Sequence, residues 1–174
     1  MAKGSLAILK SVIDVQTVID ELNAALSEEW LAYYQYWVGA AVVVGLQRSE
    51  VEKEFLEHAQ EEFNHANLLS QRLKELDAVP VLDPQEWFKL ARCTYDPPKD
   101  PEVTVLLKQN IIAERCAIAR YQEIAKLTEG KDFVTCDLAK FILAEEEDHE
   151  QDLVDFITDI DSAMEIIKAK LDIK

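Results

Sequence analysis

The chain has 174 residues, 49% of them hydrophobic, with only 4 glycines and 5 prolines, which suits a single all-α domain, residues 1–174, with a bundle core over 14–158 and a short tail over 159–174. Eighteen basic against 34 acidic residues leave a net charge of −16, which argues against nucleic acid, DNA included, as a partner. Residues 1–11 carry two lysines but no long apolar run, and no stretch reaches the roughly 20 apolar residues that span a bilayer, so a cytoplasmic protein with no membrane partner is expected.

In chain order, the first long helix is predicted over residues 14–46, ending near Gly45, where a glycine can take the left-handed conformation of a helix terminus. Strand signals are absent apart from the short run 40–44. The second helix opens at Ser49 with Glu52 three residues later, a capping box, and runs to residue 76. Residues 79–100 form a long crossover containing a small helix over 83–90, whose Trp87 and Phe88 either pack on the bundle or sit at a subunit contact. Asp100, Pro101 and Glu102 start the third long helix with a capping acid and a proline at its first position, and Gly130 stops it. The fourth helix is predicted from about 132 to 158, followed by a short amphipathic or frayed tail. Short first and third connections make two antiparallel hairpins, and the crossover must traverse the bundle between them.

Each hairpin repeats one arrangement. Glu29 with Tyr36 seven residues on is followed by Glu62 and His65; Glu114 with Tyr121 seven residues on is followed by Glu146 and His149. All six acids and imidazoles fall on apolar stripes: Leu22, Leu26, Glu29, Tyr36 and Ala40; Phe55, His58, Glu62, His65 and Leu69; Leu107, Ile111, Glu114 and Tyr121; Ile142, Glu146, His149 and Leu153. Burying one isolated carboxylate costs several kcal/mol, and four would consume much of the ~5–15 kcal/mol that holds a domain together. No lysine or arginine lies on these stripes within a turn of the carboxylates. Metal does supply the charge: four carboxylates and two imidazoles suit two iron or manganese ions, about 3.5–4 Å apart. Glu and His three residues apart share a helix face, so each such pair can bridge with its carboxylate and terminate with its imidazole.

Around these residues the pattern assigns supporting roles. Tyr36 and Tyr121 need hydrogen-bond partners if buried, and the opposing glutamate of the other hairpin can supply one, orienting a bridging carboxylate. Glu61 and Glu145 can accept the free ring N–H of a ligating histidine; surface acids are the alternative. His58 is an accessory ligand or a hydrogen-bonded core histidine. Cys93, Cys116 and Cys136 form no C-x-x-C, which excludes a rubredoxin-type or zinc-ribbon module and argues against a disulfide framework. Cys116 points about 200° from Glu114 and is no metal ligand, while Cys136 reads as a buried free thiol.

With those residues in place, the chain resembles the bacterioferritin-related, Dps-like (thioferritin) branch of the ferritin superfamily. The resemblance rests on residues 29–36, on Glu62-Phe63-Asn64-His65, on Glu114 with Tyr121, and on Glu146-Glu147-Asp148-His149. It implies a ferritin-like four-helix bundle that binds two Fe ions per subunit, oxidises Fe(II) with H2O2 or O2, and stores the product in a hollow homo-oligomer, a dodecamer rather than a 24-mer. Bacterioferritin holds haem through a methionine where this chain has Phe63, so no haem is expected. The resemblance also implies that Cys93 and Cys116 are a redox pair able to form a disulfide near the metals, unpaired thiols being the alternative. The lysine-rich arm that some Dps proteins use on DNA is missing, with only Lys3 and Lys10 available. A manganese catalase or a rubrerythrin-like peroxidase would use the same ligands. A non-catalytic bundle whose polar core fixes helix register is the rival of another class.

Overall fold

The computed structural model describes residues 4–172. A short helix α1 (Gly4–Leu9) precedes the long helices α2 (Val15–Val42) and α3 (Arg48–Glu75). A 3-10 turn (Pro84–Glu86) then leads into α4 (Trp87–Leu90), and two long helices follow, α5 (Val103–Thr128) and α6 (Phe133–Asp172). Helix α2 packs chiefly on α3 and α5 chiefly on α6, giving two antiparallel hairpins joined by the crossover. The four-helix bundle expected from the periodicity is therefore present. Among the described residues no helix is long and apolar enough to cross a membrane.

The hydrophobic core comes in two blocks. Leu22, Leu26, Leu69, Leu73, Ile124 and Ile142 build one, and Phe55, Leu106, Leu107 and Leu153 belong to the other. Full burial of such side chains contributes ~1.5–3 kcal/mol each. On each long helix the metal-type residues lie in sequence between the two blocks. Packing on both sides thus fixes the four helices against one another where the carboxylates meet.

Several helix ends differ from expectation, each for a local reason. Asp14 caps α2, accepting from Gln16 N at 3.1 Å and Thr17 Oγ1 at 2.8 Å. These bonds hold its carboxyl below the usual range, the Thr17 hydroxyl contributing most. At its far end α2 stops at Val42, not 46, because Val44 leaves the helix to pair with the segment ahead of α5: its N–H donates to Pro101 O and its carbonyl accepts from Val103 N, both at 2.9 Å. Gly45 sits at φ +120°, and a Cβ there would come within 3.1 Å of Val103. The Ser49–Glu52 capping box does not form. Helix α3 begins one residue earlier, at Arg48, behind a left-handed Gln47 that makes no side-chain cap.

Helix α5 begins later than expected. Glu102 is its cap, bonding Thr104 N at 2.8 Å and Val105 N at 3.3 Å, while Asp100 instead supports Glu102 N at 3.1 Å and Pro101 lies outside the helix. Gly130, at φ +70°, follows its end. Asp132 accepts from Thr135 N at 3.1 Å, as a cap does, and pairs with Arg72 of α3 at 2.9 and 3.0 Å. Helix α6 then runs unbroken to Asp172, because residues 155–172 contain neither proline nor glycine and Ile160 is buried in the core; no separate tail exists among the described residues. Lys3 and the last two residues of the expected tail lie outside them.

Candidate metal centre

Helix α2 supplies Glu29, α3 supplies Glu62 and His65, α5 supplies Glu114, and α6 supplies Glu146 and His149. None is more than 3% exposed. They form two overlapping groups whose donor atoms lie within 4.8 Å of one another: Glu29, Glu62, His65 and Glu146, and Glu62, Glu114, Glu146 and His149. Glu62 and Glu146 belong to both groups. Glu29 and Glu114 each belong to one of these two groups, alongside one imidazole.

Ring orientation follows the same symmetry. His65 turns Nδ1 inward, 3.3 Å from Glu29 and Glu62 and 3.2 Å from Glu146. Its Nε2–H donates outward to Glu145 at 2.8 Å. His149 likewise faces Glu62 and Glu146 with Nδ1, at 3.5 and 3.6 Å, and donates from Nε2 to Glu61 at 2.8 Å. The two acids cross between helices, each holding the histidine of the opposite hairpin. A carboxylate on Nε2 fixes the tautomer that leaves Nδ1 free to bind a cation.

The tyrosines also cross. Tyr36 donates to Glu114 and Tyr121 to Glu29. Each phenol thus reaches the opposing hairpin's glutamate, as expected, but that carboxylate is one confined to a single group and not one of the shared pair. Burial pushes both phenols well above their usual range, and the negative charge of Glu114 beside Tyr36 and of Glu29 beside Tyr121 adds to it. Both remain protonated donors.

Without metal, protons supply the positive charge. Burial favours the neutral imidazole, but the facing carboxylates of Glu146 and Glu62 outweigh it and push His149 up to about 12. His65 is raised further by Glu146, Glu29 and Glu62 against the same burial. Burial also holds the Glu114 carboxyl well above the usual range, reinforced by the charges of Glu146 and Glu62. Among the described residues, Glu29, Glu62 and Glu146 form ion pairs with the histidines alone. Even so, Glu62 Oε1, both oxygens of Glu146 and His149 Nδ1 have no hydrogen-bond partner. Buried acceptors left open at the shared carboxylates are what a bound cation would satisfy, so the residues fit a dinuclear metal.

His58 is not the hydrogen-bonded core histidine that was one of its two expected roles. It is buried and stacked on His149, ring centroids 4.1 Å apart, but neither nitrogen is hydrogen-bonded. Burial pushes it down to about 3, with repulsion from His149 in the same direction. Cys93 and Cys116 form a disulfide, and Cys136 is a buried free thiol. A cavity of about 40 Å³ runs from Cys93 to Glu29, Glu62, Glu114 and Glu146. Phe63 is part of an aromatic cluster with Trp30 and Tyr33. Trp87 stacks on Trp30 at 5.6 Å, whereas Phe88 is 67% exposed.

Sequence reasoning missed the residues that hold the crossover. Glu28, beside Glu29 and on the wall of the same cavity, accepts from Arg92 N at 2.6 Å and Cys93 N at 3.2 Å, and faces Arg120 at 3.5 Å. Its burial raises its carboxyl against those partners. Gln35 accepts from Asp96 N at 2.9 Å and donates to Asn110 at 2.8 Å. Their stripe position gave no signal, because each bonds loop backbone between residues 92 and 96 as well as a side chain of α5. Helix α1 was missed too; Leu6 buries against the first core block.

A family model of the ferritin-like domain matches residues 19–163. The chain belongs to the ferritin-like family. This ferritin-like chain is 62% identical to the bacterioferritin-related protein of Bacteroides fragilis, a dodecameric thioferritin. That match has a TM-score of 0.93 and covers 94% of this chain and 98% of the other. It is 39% identical to a DNA protection during starvation protein of Pyrococcus furiosus, over 79% of this chain and 75% of that one. It is 30% identical to a bacterial ferritin of Pseudomonas aeruginosa, over 76% and 80%.

Proposed function

We propose that this ferritin-like chain is an iron-oxidising mini-ferritin, a ferroxidase that takes Fe(II) as substrate at the Glu29, Glu62, His65, Glu114, Glu146, His149 centre and stores the ferric product. The observation that carries this reading is the pair of four-residue groups sharing Glu62 and Glu146. Two ferrous ions held across shared carboxylates can together deliver two electrons. With H2O2 as oxidant, two Fe(II) and two protons reduce one peroxide to two waters and yield two Fe(III). Native manganese is compatible with the same donors.

The protein's part is to assemble, orient and neutralise. Glu62 and Glu146, common to both groups, would be shared between the two ions; Tyr121 and Tyr36 hold Glu29 and Glu114, and Glu145 and Glu61 hold the imidazoles. The 40 Å³ cavity has room for a small oxidant such as H2O2 or O2, but for little more. The Cys93–Cys116 disulfide borders it, which favours a redox role for that pair. We further propose a homo-oligomeric shell, twelve subunits by similarity to the thioferritin, in the cytoplasm. Exposed Phe88, Ile112, Phe133 and Leu171 offer apolar surface for such contacts.

Stopped-flow absorbance of Fe(II) oxidation tests the reading. Glu62→Ala, which removes a shared carboxylate, is expected to abolish the fast phase while the assembled mass stays the same. Unchanged kinetics in that variant would refute it.

A further inference from the structure

His58 is 1% exposed and both of its ring nitrogens are unpartnered. Leaving such a buried polar group unpaired is costly, and a ligand would recover that cost. Nε2 faces Glu54 Oε1 at 3.4 Å and Asp152 Oδ2 at 3.8 Å. Neither contact qualifies as a hydrogen bond, yet donors that each sit about 2.0–2.2 Å from one ion lie about 3–4 Å from each other. The three donor atoms fall within 4.8 Å of one another.

The surroundings point the same way. Between α3 and α6 lies a cleft of about 220 Å³, lined by six acidic side chains, His58 and His149, with no basic residue on its walls. Asp152 is half exposed at 52% and Glu54 is 24% exposed, so the trio leads from solvent inward to His58. His58 also groups with Glu114 and His149 within 4.8 Å. One imidazole thus adjoins both the cleft and the buried centre.

We propose that Glu54, His58 and Asp152 form a third divalent-cation site, an outer station from which an ion passes to the His149 side of the buried pair. One imidazole and two carboxylates favour a first-row transition ion over magnesium or calcium, whose sites are built from oxygen. That the ion is ferrous iron rests on the function proposed above; the existence of the site does not.

Crystals of the assembled full-length protein soaked in Co(II), with anomalous scattering collected at the cobalt edge, test this. The expected result is a peak bounded by His58, Glu54 and Asp152, in addition to the buried pair. Asp152→Asn and His58→Gln should each remove that peak and keep the pair, and cobalt bound in solution should fall from about three to about two ions per subunit. For Asp152→Asn, KM for Fe(II) should rise severalfold with kcat unchanged. Cobalt at the pair alone, or a third peak that survives both substitutions, would overturn the proposal and leave the ferroxidase reading standing. Cobalt at the trio with none at the pair would uphold the station and overturn that reading instead.

Discussion

Metal binding at this centre should be a proton-release reaction, and the structure sets its size. His65 and His149 present Nδ1 to the carboxylates at 3.2–3.6 Å and are held protonated near neutrality by them. The same Nδ1 atoms are the ones that must coordinate an ion, so both protons have to leave. Glu114, held well above the usual carboxyl range, adds toward a third. Filling the pair at pH 7 should therefore release about two to three protons per subunit, and overall affinity should rise about a hundredfold per pH unit for two protons displaced. Isothermal titration of metal-free protein with Co(II), repeated in buffers of different ionisation enthalpy, counts these protons directly. Binding that releases no protons, with affinity indifferent to pH between 6 and 8, would refute this account of the metal-free charge balance.

The same raised values make the metal-free protein pH-sensitive. A histidine at about 12 when folded and 6.5 when unfolded contributes stability that is complete below 6.5 and is lost as pH climbs toward 12. Thermal melts of metal-free protein should therefore shift downward from pH 6.5 to 9, and a flat or rising profile would contradict the assignment. Asp132→Ala strips a 2% exposed carboxylate from Arg72 and removes its bond to Thr135 N, so denaturant titration should show a loss of about 3 kcal/mol. Phe55→Ala opens a fully buried site against Tyr36 and should cost about 3–5 kcal/mol. Reducing the Cys93–Cys116 bond, which closes a 23-residue separation, should lower stability by about 3 kcal/mol in the same assay.

The bundle was legible because its helices are long and nearly free of glycine and proline, so that a 3.6-residue period persists undisturbed. The centre was legible for a related reason: a carboxylate interrupting an apolar stripe is costly enough to demand an explanation, and the duplication from Glu29 to His149 supplied one. What escaped lies where period carries no information. Glu28 and Gln35 bind loop backbone from 92 to 96, a contact between segments more than 60 positions apart. The early end of α2 depends on Val44 finding Pro101 and Val103, and the failed capping box at Ser49 on the left-handed Gln47 before it. The tyrosines were placed on the right face and toward the opposing hairpin's glutamate, yet whether that carboxylate is a shared one is set by how the hairpins are offset. No stripe contains that information.

The central claim is that six side chains hold two metal ions across two shared carboxylates. X-ray absorption at the iron edge, on protein loaded anaerobically with two equivalents of Fe(II) per subunit, tests it most directly. The expected spectrum has imidazole scattering from about one histidine per iron and a second iron within about 4 Å. A shell of oxygen alone, with no histidine and no neighbouring iron, would contradict it.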